Sequence, residues 1–215
     1  MRETRETQKS LYIKSLYANE DNILKTIVEQ IEISDHSIQI TAAEGKLLQF
    51  LIILSKANKI VELGTHLGYS TIWMAKALND DGLIYTIEKD IKRASKASIN
   101  FINSNHNHKI KLINGSALES LEKLTAEYDL LFIDAVKGEY GKYLEWADKH
   151  IKKGGLIIAD NTLLSGAVFD TTYKGKFNKK TIKAMQDFNI DIANTEKYHS
   201  IILPTEEGLT IAIRH

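Results

Sequence analysis

From Lys59 onward, short apolar runs alternate with segments of helical spacing, and this alternation constrains the fold more than any other feature. Lys59–Leu63, Leu83–Glu88, Ile110–Ile113, Asp129–Asp134 and Leu156–Asp160 read as strands. Between them, Thr71–Leu78, Ile91–Asn103, Ala117–Leu124 and Tyr140–His150 carry apolar residues at helical intervals. Strands that are apolar along their length are buried on both faces. When helices join such strands, the strands run parallel. The expected class is α/β: a doubly wound, mostly parallel sheet with helices on both faces. After Asn161 an irregular lysine-rich stretch leads into a helix at about Asn178–Ile192. Ser200–Leu203 and Leu209–Ile213, separated by Pro204-Thr205-Glu206-Glu207-Gly208, predict a C-terminal antiparallel hairpin that completes a seven-stranded sheet.

The first sixty residues read as helices. Ile23, Leu24, Ile27, Val28 and Ile31 form one apolar stripe behind a candidate cap at Asn19. Thr41 with Glu44 three residues later has capping-box spacing. The helix it opens, through Leu47, Leu48, Leu51, Ile52 and Leu54 to Lys56, is apolar enough to be largely buried. Residues 1–58 thus form a helical extension on a single domain spanning residues 1–215. These helices carry more apolar face than one sheet edge needs, which predicts a homodimer built partly from the N-terminal helices.

Of the 215 residues, 43% are hydrophobic, and Lys+Arg and Asp+Glu number 28 each. Disorder is excluded by that balance, and a zero net charge gives no general pull toward nucleic acid or anionic lipid. With no cysteine, the chain has no disulfide, no thiol nucleophile, no thiolate zinc site and no iron–sulfur cluster. No apolar run approaches the ~20 residues of a membrane span. Met1–Ser10 is charged and lacks the apolar core of a signal peptide. A soluble, cytoplasmic protein with no membrane partner is expected.

Val61-Glu62-Leu63-Gly64-Thr65-His66-Leu67-Gly68-Tyr69-Ser70 is a strand entering a glycine-bearing turn and then a helix, the first βα junction of a nucleotide-binding sheet. Gly64 allows close approach of a ligand, and Gly68 a tight helix entry. The spacing is not the Gly-x-Gly-x-x-Gly of a dinucleotide site, which disfavours an NAD-dependent dehydrogenase, and no P-loop is present. Glu62 would repel a phosphate and suits a cationic end such as an α-amino group. Glu88 ends the second strand, where a carboxylate can accept both hydroxyls of an adenosine ribose. Gly115-Ser116-Ala117 would sit beside an adenine, although Gly-Ser also simply opens a helix.

Phe132-Ile133-Asp134-Ala135 and Ile158-Ala159-Asp160-Asn161 place acidic groups at the carboxyl ends of two strands expected to be neighbours. Asp134, Asp160 and Asn161 make an oxygen-only ligand set suited to Mg²⁺, Mn²⁺ or Ca²⁺. Taken singly, Asp134 could cap a helix and Asp160-Asn161 make a turn. Lys137, at the next helix start, opposes the macrodipole, and a nearby cation would lower its pKa further, making it a candidate general base. His66, His106 and His108 read as solvated. Five lysines (174, 176, 179, 180, 183) and no acid lie between Tyr173 and Lys183, a place to steer an anionic acceptor or merely a solvated loop. No aromatic–basic interleaving or RNA-binding motif supports nucleic acid.

At these residues the chain resembles the class I S-adenosylmethionine-dependent O-methyltransferases, the caffeoyl-CoA and catechol O-methyltransferase family, with their Rossmann-like sheet. The likeness runs from about Ile38 to the C-terminus. It rests on Val61–Ser70, Ile133-Asp134-Ala135-x-Lys137-x-x-Tyr140, Gly154-Gly155-x-Ile157-Ile158-Ala159-Asp160-Asn161 and Leu203-Pro204-x-x-x-Gly208-Leu209. It implies that Glu62, Gly64, Thr65 and Ser70, with the backbone near Ile40, hold the methionine part of S-adenosylmethionine. It further gives Glu88 the ribose, and Ser116 and Ala117 the adenine border. Asp134, Asp160 and Asn161 would hold the metal, with Asp134 also bordering the cofactor, and Lys137 with Asp134 would form the catalytic pair. Many relatives have Asp-Ala-Asp-Lys where this chain has Asp134-Ala135-Val136-Lys137. Ala135–Tyr140 looks instead like a bacterial branch that includes tRNA 5-hydroxyuridine methyltransferases, and Ser165–Lys180 matches neither plant nor animal enzymes. The resemblance implies metal-assisted O-methyl transfer to a small catechol-like or vicinal-diol acceptor. The alternatives are a tRNA 5-hydroxyuridine and a non-catalytic adenosine-ligand binding module.

Overall fold

The structure, a computed structural model, describes residues 7–34, 39–205 and 207–215. Most of the Met1–Ser10 segment read for a signal peptide lies outside the described residues, as do Ile38, where the expected likeness begins, and Glu206 of the hairpin turn. A seven-stranded sheet has the order β3-β2-β1-β4-β5-β7-β6. Its strands are β1 (Lys59–Leu63), β2 (Leu83–Glu88), β3 (Ile110–Asn114), β4 (Tyr128–Ile133), β5 (Ile151–Asp160), β6 (Tyr198–Leu203) and β7 (Leu209–Arg214). The pairs β2/β3, β1/β4 and β4/β5 are parallel, whereas β7 runs antiparallel to both β5 and β6. This is the doubly wound sheet with a C-terminal hairpin that the alternation predicted. The chain forms two compact units, residues 1–59 with 65–115, and residues 60–64 with 116–215.

The first unit holds helices α1 (Gln8–Tyr17), α2 (Asn22–Ser34), α3 (Ala42–Ser55), α4 (Tyr69–Ala75) and α5 (Ile91–Asn103). The capping box at α3 is formed: the Glu44 N–H donates to Thr41 Oγ1 at 3.2 Å and the Thr41 N–H to Glu44 Oε2 at 2.7 Å. Two helical expectations are corrected. The cap of α2 is not Asn19 but Asp21, whose Oδ1 accepts from the Leu24 N–H at 3.2 Å. Helix α3 buries only one face, through Leu48 and Ile52, and leaves Phe50, Ile53 and Leu54 exposed. The α2 stripe is packed inside the chain, with Leu24, Ile27 and Ile31 all at 0% exposure. Each such aliphatic contributes about 1.5–3 kcal/mol on burial, whereas Ile23 and Val28 of the same stripe are only half-buried. Within these N-terminal helices, exposed apolar residues stand on α3, at Leu11, Tyr12, Leu16 and Tyr17 of α1, and at Ile33 of α2.

In the second unit, β1, β4 and β5 form its buried centre, with Leu63, Leu130, Leu131, Ile133, Ile157 and Ile158 at 0% exposure. Around them stand α6 (Ala117–Leu121), α7 (Tyr140–His150) and α8 (Lys179–Ile192). Strand β5 begins at Ile151, five residues before the expected Leu156. The added Lys152-Lys153-Gly154 is exposed and polar, so no apolar run announces it. Among the described residues no helix is long and apolar enough to cross a membrane.

Candidate active site

In the first unit, the segment after β1 turns sharply into α4. The Gly68 N–H donates to the Thr65 carbonyl at 2.8 Å, and Gly68 then caps α4 at φ +89°. A β-carbon on Gly68 would lie 2.9 Å from Phe101 Cζ, so the position demands glycine both for its backbone and for its space. Thr65, 1% exposed, shares a 2.5 Å hydroxyl hydrogen bond with Thr86. His66 sits at φ +52° and is half-buried, not solvated as its sequence context suggested. His106 is half-buried too, and only His108 is exposed.

Glu88 explains how this turn is held. Its Oε2 accepts from the His66 N–H at 2.8 Å and its Oε1 from the Asp90 N–H at 2.9 Å. At the end of β2 the carboxylate is 6% exposed. Each oxygen has a second lone pair, so a vicinal diol can still be accepted there. Ser70, the second residue of α4, is buried, and Ile40 is 3% exposed just before the Thr41 cap.

In the second unit, Glu62 lies on β1 at 0% exposure. Gly64 follows at φ +100°, pressed against the backbone of Asp134. The Asp134 N–H donates to the Leu63 carbonyl at 2.8 Å. The last register pair of β4 and β5 is Ile133 with Ala159, so Asp134 and Asp160 come next on neighbouring parallel strands, as their spacing implied. Lys137 opens a 3-10 turn, Lys137–Glu139, before α7. Its Nζ lies 2.7 Å from Asp134 Oδ1 and 2.8 Å from the Tyr140 hydroxyl. That hydroxyl in turn donates to the Asp160 carbonyl at 2.9 Å. Burial pulls the Lys137 amine down, but Asp134, Tyr140 and Asp160 outweigh it and hold the amine above the ordinary lysine range. The macrodipole argument for a lowered value is thus overridden by direct pairing. In the sequence, Tyr140 stands out only through the i, i+3, i+6 spacing of Asp134, Lys137 and Tyr140.

Asp160 is fully buried, and its Oδ1 accepts from the Asn161 N–H at 2.7 Å, with Asn161 at φ +59°. Among the described residues, no three His, Cys, Asp or Glu side chains group to hold a cation. The candidate set is two carboxylates and an amide. Its donor chemistry fits a hard divalent cation, because adjacent strand ends present anionic oxygens and one carboxylate is kept from water. Ser116 is exposed and caps α6, accepting from the Glu119 N–H at 3.4 Å, with Ala117 opening the helix.

The lysine-rich segment differs from its sequence reading in one respect. Tyr173 and Phe177 stack at 6.3 Å and Lys176 Nζ lies 5.0 Å over the Phe177 ring, so aromatic and basic groups do interleave there. Lys183 pairs with Asp187, one turn on in α8.

A family model described as O-methyltransferase matches residues 14–215, reaching further toward the N-terminus than the expected Ile38. A catechol O-methyltransferase of Niastella koreensis is 38% identical over 164 residues, covering 74% of each chain. Among solved structures, an O-methyltransferase from Bacillus cereus in complex with SAH is similar with TM-score 0.89 and 29% identity, covering 97% of this chain and 98% of that one. TomG, an O-methyltransferase from Streptomyces achromogenes in complex with SAM, is similar with TM-score 0.88 and 30% identity, covering 100% and 99%. With the βα junction, the strand-end carboxylates of Asp134 and Asp160 and a match across nearly its whole length, this chain belongs to the O-methyltransferase family.

Proposed function

We propose that this enzyme transfers a methyl group from S-adenosylmethionine to one hydroxyl of a small catechol-like or vicinal-diol acceptor, assisted by a divalent cation. The observation that carries the proposal is the placement of Asp134 and Asp160 on neighbouring strand ends, with Lys137 2.7 Å from Asp134. The 38% identical relative named for catechol supports the acceptor class. The short Tyr173–Lys176–Phe177 cluster does not outweigh that relative in favour of a tRNA base. All of residues 1–215 act as one methyltransferase domain in this proposal, in the cytoplasm and as a homodimer. The proposed dimer face is the exposed apolar residues of the N-terminal helices α1 and α3.

For the cofactor, Glu62, Gly64, Thr65 and Ser70, with Ile40 nearby and Asp134 at the border, take the methionine part, Glu88 the ribose hydroxyls, and Ser116 and Ala117 the adenine edge. Glu88 is suited to its role because backbone N–H groups already fix its carboxylate, so little orientational freedom is lost on binding. Asp134, Asp160 and Asn161 would hold Mg²⁺ or a similar ion, which when bound supplies Lewis acidity that lowers the acceptor hydroxyl's pKa. Lys137, oriented by Asp134 and the Tyr140 hydroxyl, stands as an ammonium while paired with Asp134; it would first release a proton to solvent, which a cation held by Asp134 would favour, and the free amine Nζ would then take the acceptor's proton. Methyl transfer breaks the sulfonium S–CH₃ bond as the acceptor oxygen forms its bond to carbon, leaving S-adenosylhomocysteine. Turnover of catechol with isotopically labelled S-adenosylmethionine, with and without EDTA, tests the proposal.

A further inference from the structure

The connection between α1 and α2 is not a solvated link. Ala18 is 1% exposed and Glu20 5%, although a carboxylate is seldom buried without partners. Glu20 has two. Its Oε1 accepts from the Tyr69 hydroxyl at 2.6 Å, and its Oε2 pairs with Lys14 Nζ at 2.8 Å. The next residue, Asp21, caps α2 and pairs with Lys76. Tyr69 is the first residue of α4 and Lys76 its C-cap, so two successive acids fasten both ends of one short helix. That helix carries Ser70 and closes the turn that Glu88 holds.

Tyr69 is fixed on its other side as well. It is 3% exposed and meets Trp73 edge-on at 6.4 Å. Trp73 lies against Gly45 of α3, where a β-carbon would stand 2.5 Å from the ring. Burial, and then the Glu20 carboxylate, hold the Tyr69 phenol above its ordinary range, so it remains the donor.

We propose that Glu20 and Tyr69 are positioning residues for cofactor binding: the α1–α2 connection is a strap that sets where α4 and the Thr65–Ser70 segment stand. This rests on the reading of that segment as part of the cofactor site. Loss of a pair that only adds stability would lower the melting temperature and leave cofactor affinity alone. A positioning pair changes affinity, because small displacements of a binding segment cost binding steeply.

The test uses the full chain as wild type, Tyr69→Phe, Glu20→Gln, Glu20→Ala and the Tyr69→Phe/Glu20→Ala double variant. S-adenosylhomocysteine is titrated into each by calorimetry, and KM for S-adenosylmethionine, kcat and Tm are measured alongside. Tyr69→Phe and Glu20→Ala are each expected to weaken binding and raise KM about 5–20-fold with kcat little changed, as for loss of a hydrogen bond to a charged group. Glu20→Gln keeps an acceptor for the phenol and retains most of the affinity. The double variant is no weaker than the worse single one, because both remove the same interaction. Wild-type affinity in Tyr69→Phe and Glu20→Ala, whatever their Tm, overturns the proposal while leaving the cofactor site intact. Failure of the wild type itself to bind overturns the cofactor reading and this proposal with it. If Glu20→Ala does not fold, Tyr69→Phe, which removes one oxygen atom, decides alone.

Discussion

Gly64 and Asp134 meet backbone to backbone: a β-carbon on Gly64 would stand 2.9 Å from the Asp134 carbonyl carbon and closer still to its oxygen. The neighbour is main chain and cannot swing aside, and Gly64 sits at φ +100°, where an L side chain is strained in any case. Gly64→Ala is therefore expected to destabilise the fold by about 2–4 kcal/mol. It should also lower kcat/KM at least about tenfold by shifting the segment that bears Asp134. Urea denaturation with parallel kinetics checks both, and an unchanged midpoint with unchanged kcat/KM contradicts the argument.

Glu88 holds two N–H groups besides its proposed part in accepting the ribose, so its replacement also loosens the turn. Glu88→Ala should weaken S-adenosylhomocysteine binding by about 1–3 kcal/mol, the cost of losing a charged hydrogen-bonding partner. Calorimetry decides it, and wild-type affinity would remove Glu88 from the cofactor site.

Lys137→Ala tests the proposed base. General-base catalysis contributes about 10²–10⁴-fold, so kcat should fall by that order while KM for S-adenosylmethionine stays near wild type. An unchanged kcat would assign proton removal elsewhere.

Asp21 makes stability depend on pH. Burial works to raise its carboxyl, but Lys76 and the Leu24 N–H outweigh it and hold it below the usual carboxylate range. A lowered folded pKa gives stability that is present above the unfolded value, about pH 4, and lost as pH falls through the folded value. The Asp21 side chain is 51% exposed, so water screens the pair and the contribution is below about 1 kcal/mol. Asp21→Asn, which keeps a capping oxygen, should lower Tm slightly at pH 7 and converge with wild type near pH 2. A constant difference across that range contradicts the assignment.

Much of this architecture was legible because its signals are local. Buried parallel strands carry continuous apolar runs such as Leu156–Ala159, and Thr41 with Glu44 announces its own cap. What was missed depends on distant partners. Asn19, Asp21 and Asn22 are all good caps on composition, and Asp21 is the one that also pairs with Lys76, 55 residues away. The α3 sequence is apolar enough for burial, yet nothing local says that one face lacks a cover. In the candidate site, the Asp134–Lys137–Tyr140 spacing was visible, but not that pairing with Asp134 outweighs burial and the helix dipole at Lys137. Glu20 gave no signal, since its partner Tyr69 lies on another element.

The exposed apolar residues of α1 and α3 predict where a dimer forms. Light scattering at micromolar concentration should give twice the 24.3 kDa chain mass, and Leu16→Glu with Phe50→Glu should reduce it to the monomer. A wild-type monomer would end the dimer proposal.

The central claim is metal-assisted methyl transfer to a vicinal diol. The direct measurement incubates metal-stripped protein with S-adenosylmethionine and catechol, and follows methylated catechol by mass spectrometry in Mg²⁺ and in EDTA. Singly methylated catechol is expected with Mg²⁺, its loss in EDTA and in Asp160→Ala, and S-adenosylhomocysteine binding retained throughout. Equal turnover in EDTA, or no methylated catechol from protein that binds S-adenosylhomocysteine, would contradict it.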